Sequence, residues 1–143
     1  MIKDKIRVLH VEDDPNDLHT IQQMLRSHDA DFIIMEDAEG LTAGLNRLRN
    51  ESFDLILLDL GLAETRGLET LRCFAANTKD TPILVLIGAD DESLGPKAVE
   101  AGAQDFLIKE NISRDLLVRA IRYSVEGWRS ERKIRESEAH YRR

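Results

Sequence analysis

Apolar and polar positions along this chain follow two alternating spacings. Short, nearly continuous apolar runs occur at 6–11 (IRVLHV), 32–35 (FIIM), 54–59 (DLILLD), 82–87 (PILVLI) and 105–108 (DFLI). Runs of this length, rich in Val, Ile and Leu, predict strands buried on both faces, as in a parallel sheet. Between them, apolar residues recur every three or four positions: Leu18, Ile21 and Leu25; Leu41, Leu45 and Leu48; Leu68, Leu71 and Phe74; Leu94, Ala98 and Ala101. That spacing predicts helices with one apolar face turned towards the sheet. Strand and helix alternate throughout, so the pattern predicts an α/β fold, a (βα)5 domain with 54–59 and 82–87 as central strands.

Local signals sharpen the helix ends. Asp14 suits an N-cap and Pro15 the first helical position, where a missing N–H is no loss. Gly102 suits the end of the fourth helix. A last helical stretch begins near Ser113 and runs past Glu138, with Gly127 as its one weak interruption. Leu116, Leu117, Ala120 and Ile121 can pack on the sheet, whereas Trp128, Ile134 and Tyr141 are too few to bury the remainder. A partner for this helix is therefore expected, with a homodimer formed through it as one form.

At 143 residues and 42% hydrophobic content, the chain can bury the core of one domain with an appendage. We expect a domain over 1–126 and a helical linker over 127–143 leading to a downstream domain. No apolar run reaches the length of a membrane span, and MIKDKIRVLH lacks a secretory apolar segment, so a cytoplasmic location without membrane contact is expected. Cys73 is the single cysteine, which excludes an internal disulfide and a cysteine zinc site. Charge divides unevenly: residues 1–111 hold 11 Lys and Arg against 22 Asp and Glu, and residues 112–143 hold 9 against 5. An acidic body with a mixed-sign tail argues against nucleic acid as a partner.

The stretch LHVEDDPND, 9–17, runs a buried strand directly into Glu12, Asp13 and Asp14. Adjacent carboxylates at such a place call for a cation or donors. In an open parallel α/β sheet, ligands bind beyond the carboxyl ends of the strands. Glu12 and Asp13 follow the first strand, Asp59 ends the third and Lys109 follows the fifth, so four charged side chains converge on one rim. Carboxylates suit Mg²⁺, which takes one or two of them together with waters and phosphate oxygens. Asp59, placed between those acids and Lys109, suits a nucleophile towards phosphorus, giving an aspartyl phosphate.

These segments together resemble the receiver domains of two-component response regulators over residues 6 to about 126. VLHVEDDPND is similar to the family's acidic-pair segment, DLILLDLGL to its phosphoacceptor segment, PILVLIGADD to its fourth strand and AGAQDFLIK to the stretch leading to its lysine. The resemblance implies a flavodoxin-like, doubly wound sheet of five parallel strands in the order 2-1-3-4-5. It implies Mg²⁺ at Glu12, Asp13, Asp59 and the backbone carbonyl of Gly61. It also implies phosphoryl transfer to Asp59 from a histidine kinase or phosphotransfer protein, Lys109 against the phosphoryl group, and relay to an output domain. The terminal RESEAHYRR is similar to helices that join receivers to PAS domains, which implies a multidomain protein.

The chain departs from the family at three places. Ile87 stands where the fourth strand normally ends in Thr or Ser, so the hydroxyl that carries the switch to the aromatic position, here Phe106, is missing. Gly88 keeps the small residue expected beside the phosphate. Glu110 follows Lys109 where Pro is usual, and Ala63 replaces the Pro of the loop after Asp59. An alternative reading is a degenerate receiver that acts as an interaction module without phosphorylation. An aspartyl phosphatase would want an acid two residues after Asp59, where Gly61 stands, and a flavin module would not place acids on the rim.

Overall fold

All strand pairs in the sheet run parallel, in the order β2-β1-β3-β4-β5. The computed structural model describes residues 5–26, 30–78 and 80–141, excepting the side chains of 139–141; Arg142 and Arg143 lie outside them. The elements are β1 Ile6–Val11, α1 Pro15–Met24, β2 Ile33–Ala38, α2 Leu41–Asn50, β3 Leu55–Asp59, α3 Leu68–Ala76, β4 Ile83–Ile87, α4 Leu94–Glu100, β5 Asp105–Ile108 and α5 Arg114–Tyr141. This is the doubly wound α/β sheet expected, with a long C-terminal helix.

Every residue of β3 and β4 is buried, as two helical layers require. Side chains alternate along each strand, so one strand feeds two cores. Leu9, Val11, Ile56, Leu58, Val85 and Ile87 cluster with Leu71, Phe74 and Ala98 of α3 and α4. Val8, Leu55, Leu57, Leu84 and Leu86 cluster with Ile21 of α1 and Leu117, Ile121 and Val125 of α5. Burying such a side chain contributes about 1.5–3 kcal/mol. The sheet is thus fixed from both faces, which holds its carboxyl edge rigid beneath the site.

One element, β2, differs clearly in extent from the pattern. β2 runs to Ala38 rather than ending at Met35. Its polar second half is tolerated because β2 is an edge strand, and its acids have partners. Asp37 lies in register with His10, whose buried Nδ1 is 3.1 Å from Asp37 Oδ1, while Gln22 Nε2 donates to Asp37 Oδ2 at 2.7 Å. Burial works to raise the Asp37 carboxyl, but the hydrogen bonds from His10 and Gln22 outweigh it and hold the group below the usual carboxylate range. Glu36 joins Arg7, Arg47 and Glu51 in an ion-pair cluster, with Arg7 4.5 Å above the Phe53 ring.

α5 is one helix of 28 residues. Beyond its buried Val125 it keeps touching the domain: Gln104 Nε2 donates to Glu131 Oε1 at 3.2 Å, and Arg129 and Arg132 approach Asp54 and Asp80 at 3.8 and 3.6 Å. The half-buried Trp128 sits in this segment with Arg135 5.3 Å above its ring. No described helix is long and apolar enough to cross a membrane.

Candidate functional site

The carboxyl ends of β1, β3 and β5 bring Glu12, Asp13, Asp59 and Lys109 to one rim. A cavity of about 770 Å³ opens there, lined among others by Asp13, Asp17, Asp59, Gly61, Ile87, Gly88 and Lys109. Asp59 ends β3, the central strand, and is 3% exposed. Each of its oxygens has a donor: the Gly61 N–H donates to Oδ1 at 2.9 Å and Lys109 Nζ to Oδ2 at 2.8 Å. Lys109 Nζ also donates to Asp17 Oδ2 at 2.7 Å and stands 3.3 Å from Glu12 Oε1. One ammonium therefore faces three carboxylates.

Charge distribution follows from that geometry. Glu12 is 1% exposed, and its Oε1 makes no hydrogen bond despite the nearby ammonium. Burial, and then the adjoining Asp59 carboxylate, push the Glu12 carboxyl up to about 8, against the pull of Lys109. Burial pushes Asp59 upward too, but hydrogen bonds from Glu12, Lys109 and Gly61 overcome it and hold Asp59 below its ordinary value. Of the pair, Glu12 is therefore the carboxyl that holds a proton more readily and Asp59 the one that ionises more readily. Burial works to lower Lys109, but its bonds to Asp17 and Asp59 prevail and keep it charged.

This proton has a consequence for stability. Glu12 binds it more tightly folded than unfolded, so its stabilising contribution is full below its ordinary value and is lost as pH rises through about 8. Glu12→Gln, uncharged at every pH, should remove that dependence. Urea midpoints at pH 5.5 and 8.5 without divalent cation should fall more steeply for the parent than for the variant. Parallel falls would contradict the assignment.

The donor set fits a hard divalent cation. Oxygens of Glu12, Asp17 and Asp59 lie within 4.8 Å of one another, and the buried Glu12 Oε1, which accepts no hydrogen bond, suits a hard cation. The Lys109 ammonium stands in for such an ion. Asp17, in the first turn of α1, escapes a sequence reading that assigns this stretch to helix capping; its position three residues after Asp14 on the rim was the available signal. Asp14 caps α1 as expected, accepting from the N–H groups of Asn16 and Asp17.

Asp13 lines the cavity but is engaged elsewhere: the Ala63 N–H donates to Asp13 Oδ2 at 2.7 Å. A Pro at this position would have no N–H to give. Glu110 is a second substitution for Pro with a bond of its own, since its Oε1 accepts from the Ala89 N–H at 2.8 Å. No peptide bond among the described residues is cis. Ile87 is buried with its side chain in the α3–α4 core. Gly88 has open space around it, and the half-buried Phe106 ring presses on Gly95 of α4.

The sequence profile of the response regulator receiver domain matches residues 8–122. The chain belongs to the response regulator receiver family. Among curated relatives, it is 30% identical over 126 residues to a nitrate/nitrite response regulator protein homolog of Haemophilus influenzae, covering 88% of this chain and 60% of that one. It is 31% identical to the cell cycle transcriptional regulator CtrA of Caulobacter vibrioides, covering 80% and 48%. The receiver thus spans roughly half the length of these relatives. In fold it is similar to a CheY-like receiver domain protein from Methanospirillum hungatei, with TM-score 0.75 and 23% identity over 90% of this chain and 99% of that one. Full-length FixJ of B. japonicum gives TM-score 0.78 at 24% identity, covering 92% and 63%. A receiver is a signalling domain of two-component systems rather than a classical enzyme.

Proposed function

We propose that Asp59 accepts a phosphoryl group from a histidine kinase or phosphotransfer protein in a Mg²⁺-dependent reaction, and that the receiver passes this state to an output domain. The observation that carries it is the buried Asp59 carboxylate, kept ionised with one oxygen on Lys109 and the other on the Gly61 N–H. A carboxylate oxygen of Asp59 attacks phosphorus while the bond to the donor's leaving atom breaks. The bond's electron pair stays with the departing imidazole or acetate. Lys109, already ionised at the site, offsets charge on the transferring group, and the Gly61 N–H holds the acceptor in place. When bound, Mg²⁺ supplies further charge compensation and orients phosphoryl oxygens. Acetyl phosphate with Mg²⁺ should modify the parent, and Asp59→Asn should reduce incorporation to background. Equal incorporation in both would reject the reading.

We assign the ion to Glu12, Asp13, Asp59 and the Gly61 carbonyl, with Asp17 serving to hold Lys109. For this, Asp13 exchanges the Ala63 N–H for the cation. Asp13→Asn should then weaken Mg²⁺ binding about tenfold or more, because one of few protein ligands is lost. Asp17→Asn should change it much less. Amide shifts at residues 12–14 and 59–61 during a Mg²⁺ titration read both, and the reverse ranking would move the ligand role to Asp17.

The degenerate alternative, an interaction module acting without phosphate, shares one feature with the leading reading, the outward face of α5. Tyr123 and Ile134 are 61% and 58% exposed. With the exposed Leu116 and Ser130 they form an uncharged line at spacings of seven, seven and four on a helix otherwise dense in charge. Such a seam suits a second copy of the helix. On this reading residues 127–143 are a linker towards a further domain, with a PAS domain the candidate that RESEAHYRR suggests. Removing residues 128–143 should leave the fold intact and weaken self-association; identical sedimentation of both forms would reject the dimer.

A further inference from the structure

The β4–α4 loop lacks a hydroxyl at its start, since Ile87 is apolar and buried. Another group holds it: the Ala89 N–H is donated to Glu110 Oε1. Glu110 lines the same cavity as Asp59, Ile87 and Gly88, and its neighbour Lys109 bonds Asp59 itself. Two consecutive side chains beyond β5 thus hold two different elements, Lys109 the acceptor and Glu110 the loop. Ala89 opens the turn Ala89–Asp91, and α4 begins at Leu94. Gly95, in the first turn of α4, carries the Phe106 ring against its backbone. A displacement at Ala89 therefore has a short mechanical route to Phe106.

We propose that Glu110 is a positioning residue coupling the β4–α4 loop to the charge on Asp59: its carboxylate holds the Ala89 N–H while Asp59 is unmodified and releases it once Asp59 carries a phosphoryl group. This rests on Asp59 being the acceptor. Phosphorylation replaces the single negative charge of the Asp59 carboxylate by about two on the acyl phosphate, in a cavity already lined by Asp13, Asp14, Asp17 and Asp91. An ionised carboxylate only accepts hydrogen bonds, so Glu110 and phosphoryl oxygens compete for donors and repel one another. Glu110 is exposed, and its carboxylate is readily hydrated once it lets go. The modified state therefore disfavours the held conformation more than the released one, which is what shifts a two-state element. The coupling has the opposite sense to that of a hydroxyl. A hydroxyl at position 87 would draw the loop towards the phosphoryl group, whereas Glu110 is driven from it.

The test uses beryllofluoride with Mg²⁺ on the full chain, with ¹⁹F spectra counting the adduct and amide spectra reading Gly61 and Ala89. In the parent, both amides should move. Glu110→Gln keeps an acceptor for Ala89 but removes the charge, so the Ala89 response should shrink by about threefold or more while adduct and Gly61 shift match the parent. Glu110→Ala should place the Ala89 amide near its released position before beryllofluoride is added. Adduct formation with equal Ala89 shifts in parent and Glu110→Gln would overturn the coupling and leave Asp59 as acceptor. Absence of adduct in the parent would overturn the acceptor reading and this inference with it.

Discussion

Lys109→Met is expected to destabilise the fold by about 2–3 kcal/mol in Mg²⁺-free solution, below the 3–5 kcal/mol typical of breaking a fully buried pair because the lysine is partly exposed. Its Nζ faces Asp17, Asp59 and Glu12 at 2.7, 2.8 and 3.3 Å. Without it, three carboxylates would share the rim with no cation. Lys109 is what opposes the upward push on Glu12; its loss should make the Glu12 carboxyl bind its proton more firmly. The variant should consequently lose more stability than the parent as pH rises towards 8. Mg²⁺ should restore much of the loss, since a divalent ion can take over the ammonium's place. Phosphoryl incorporation should still fall by about 10²–10³, as when one preorganised stabilising group is removed. Denaturant midpoints with and without Mg²⁺ check the first part. A variant as stable as the parent and indifferent to the ion would contradict the description of the cluster.

Gly95→Ala is expected to destabilise the domain by about 1–2 kcal/mol, although Ala favours a helix over Gly by about 1 kcal/mol. A Cβ built at Gly95 would stand 2.5–2.7 Å from the Cε2, Cζ and Cδ2 atoms of Phe106. The neighbour is a ring wedged between α4 and the sheet, so the clash outweighs the propensity gain. In a Phe106→Ala background the obstacle is gone, and Gly95→Ala should become neutral or stabilising. A thermodynamic cycle over the four proteins isolates this coupling. Additive effects would mean that the ring yields freely and does not lean on α4.

The βα alternation was legible because β3 and β4 are buried on both faces and so carry no polar interruption before Asp59. The polar end of β2 was not, since Glu36 and Asp37 resemble loop residues until Arg7, Arg47 and His10 are seen opposite them. At the rim, Glu12, Asp59 and Lys109 could be placed together because each follows a strand, and strand ends of a parallel sheet share one edge. Asp17 sits in a helix instead, and its bond to Lys109 spans 92 positions along the chain. The hydrogen bonds of Asp13 to Ala63 and Glu110 to Ala89 also join distant loops. The sequence marks both places only by a missing Pro, and the backbone geometry that turns that absence into a contact is set by the fold.

Mapping the modified residue tests the central claim most directly. The chain is incubated with acetyl phosphate and Mg²⁺, the acyl phosphate is reduced with borohydride, and the product is sequenced by tandem mass spectrometry. The account predicts a single phosphoryl group before reduction, homoserine at position 59 after it, and no such product without Mg²⁺. Homoserine from Asp13 or Asp17, or an unmodified chain in the presence of Mg²⁺, would contradict it.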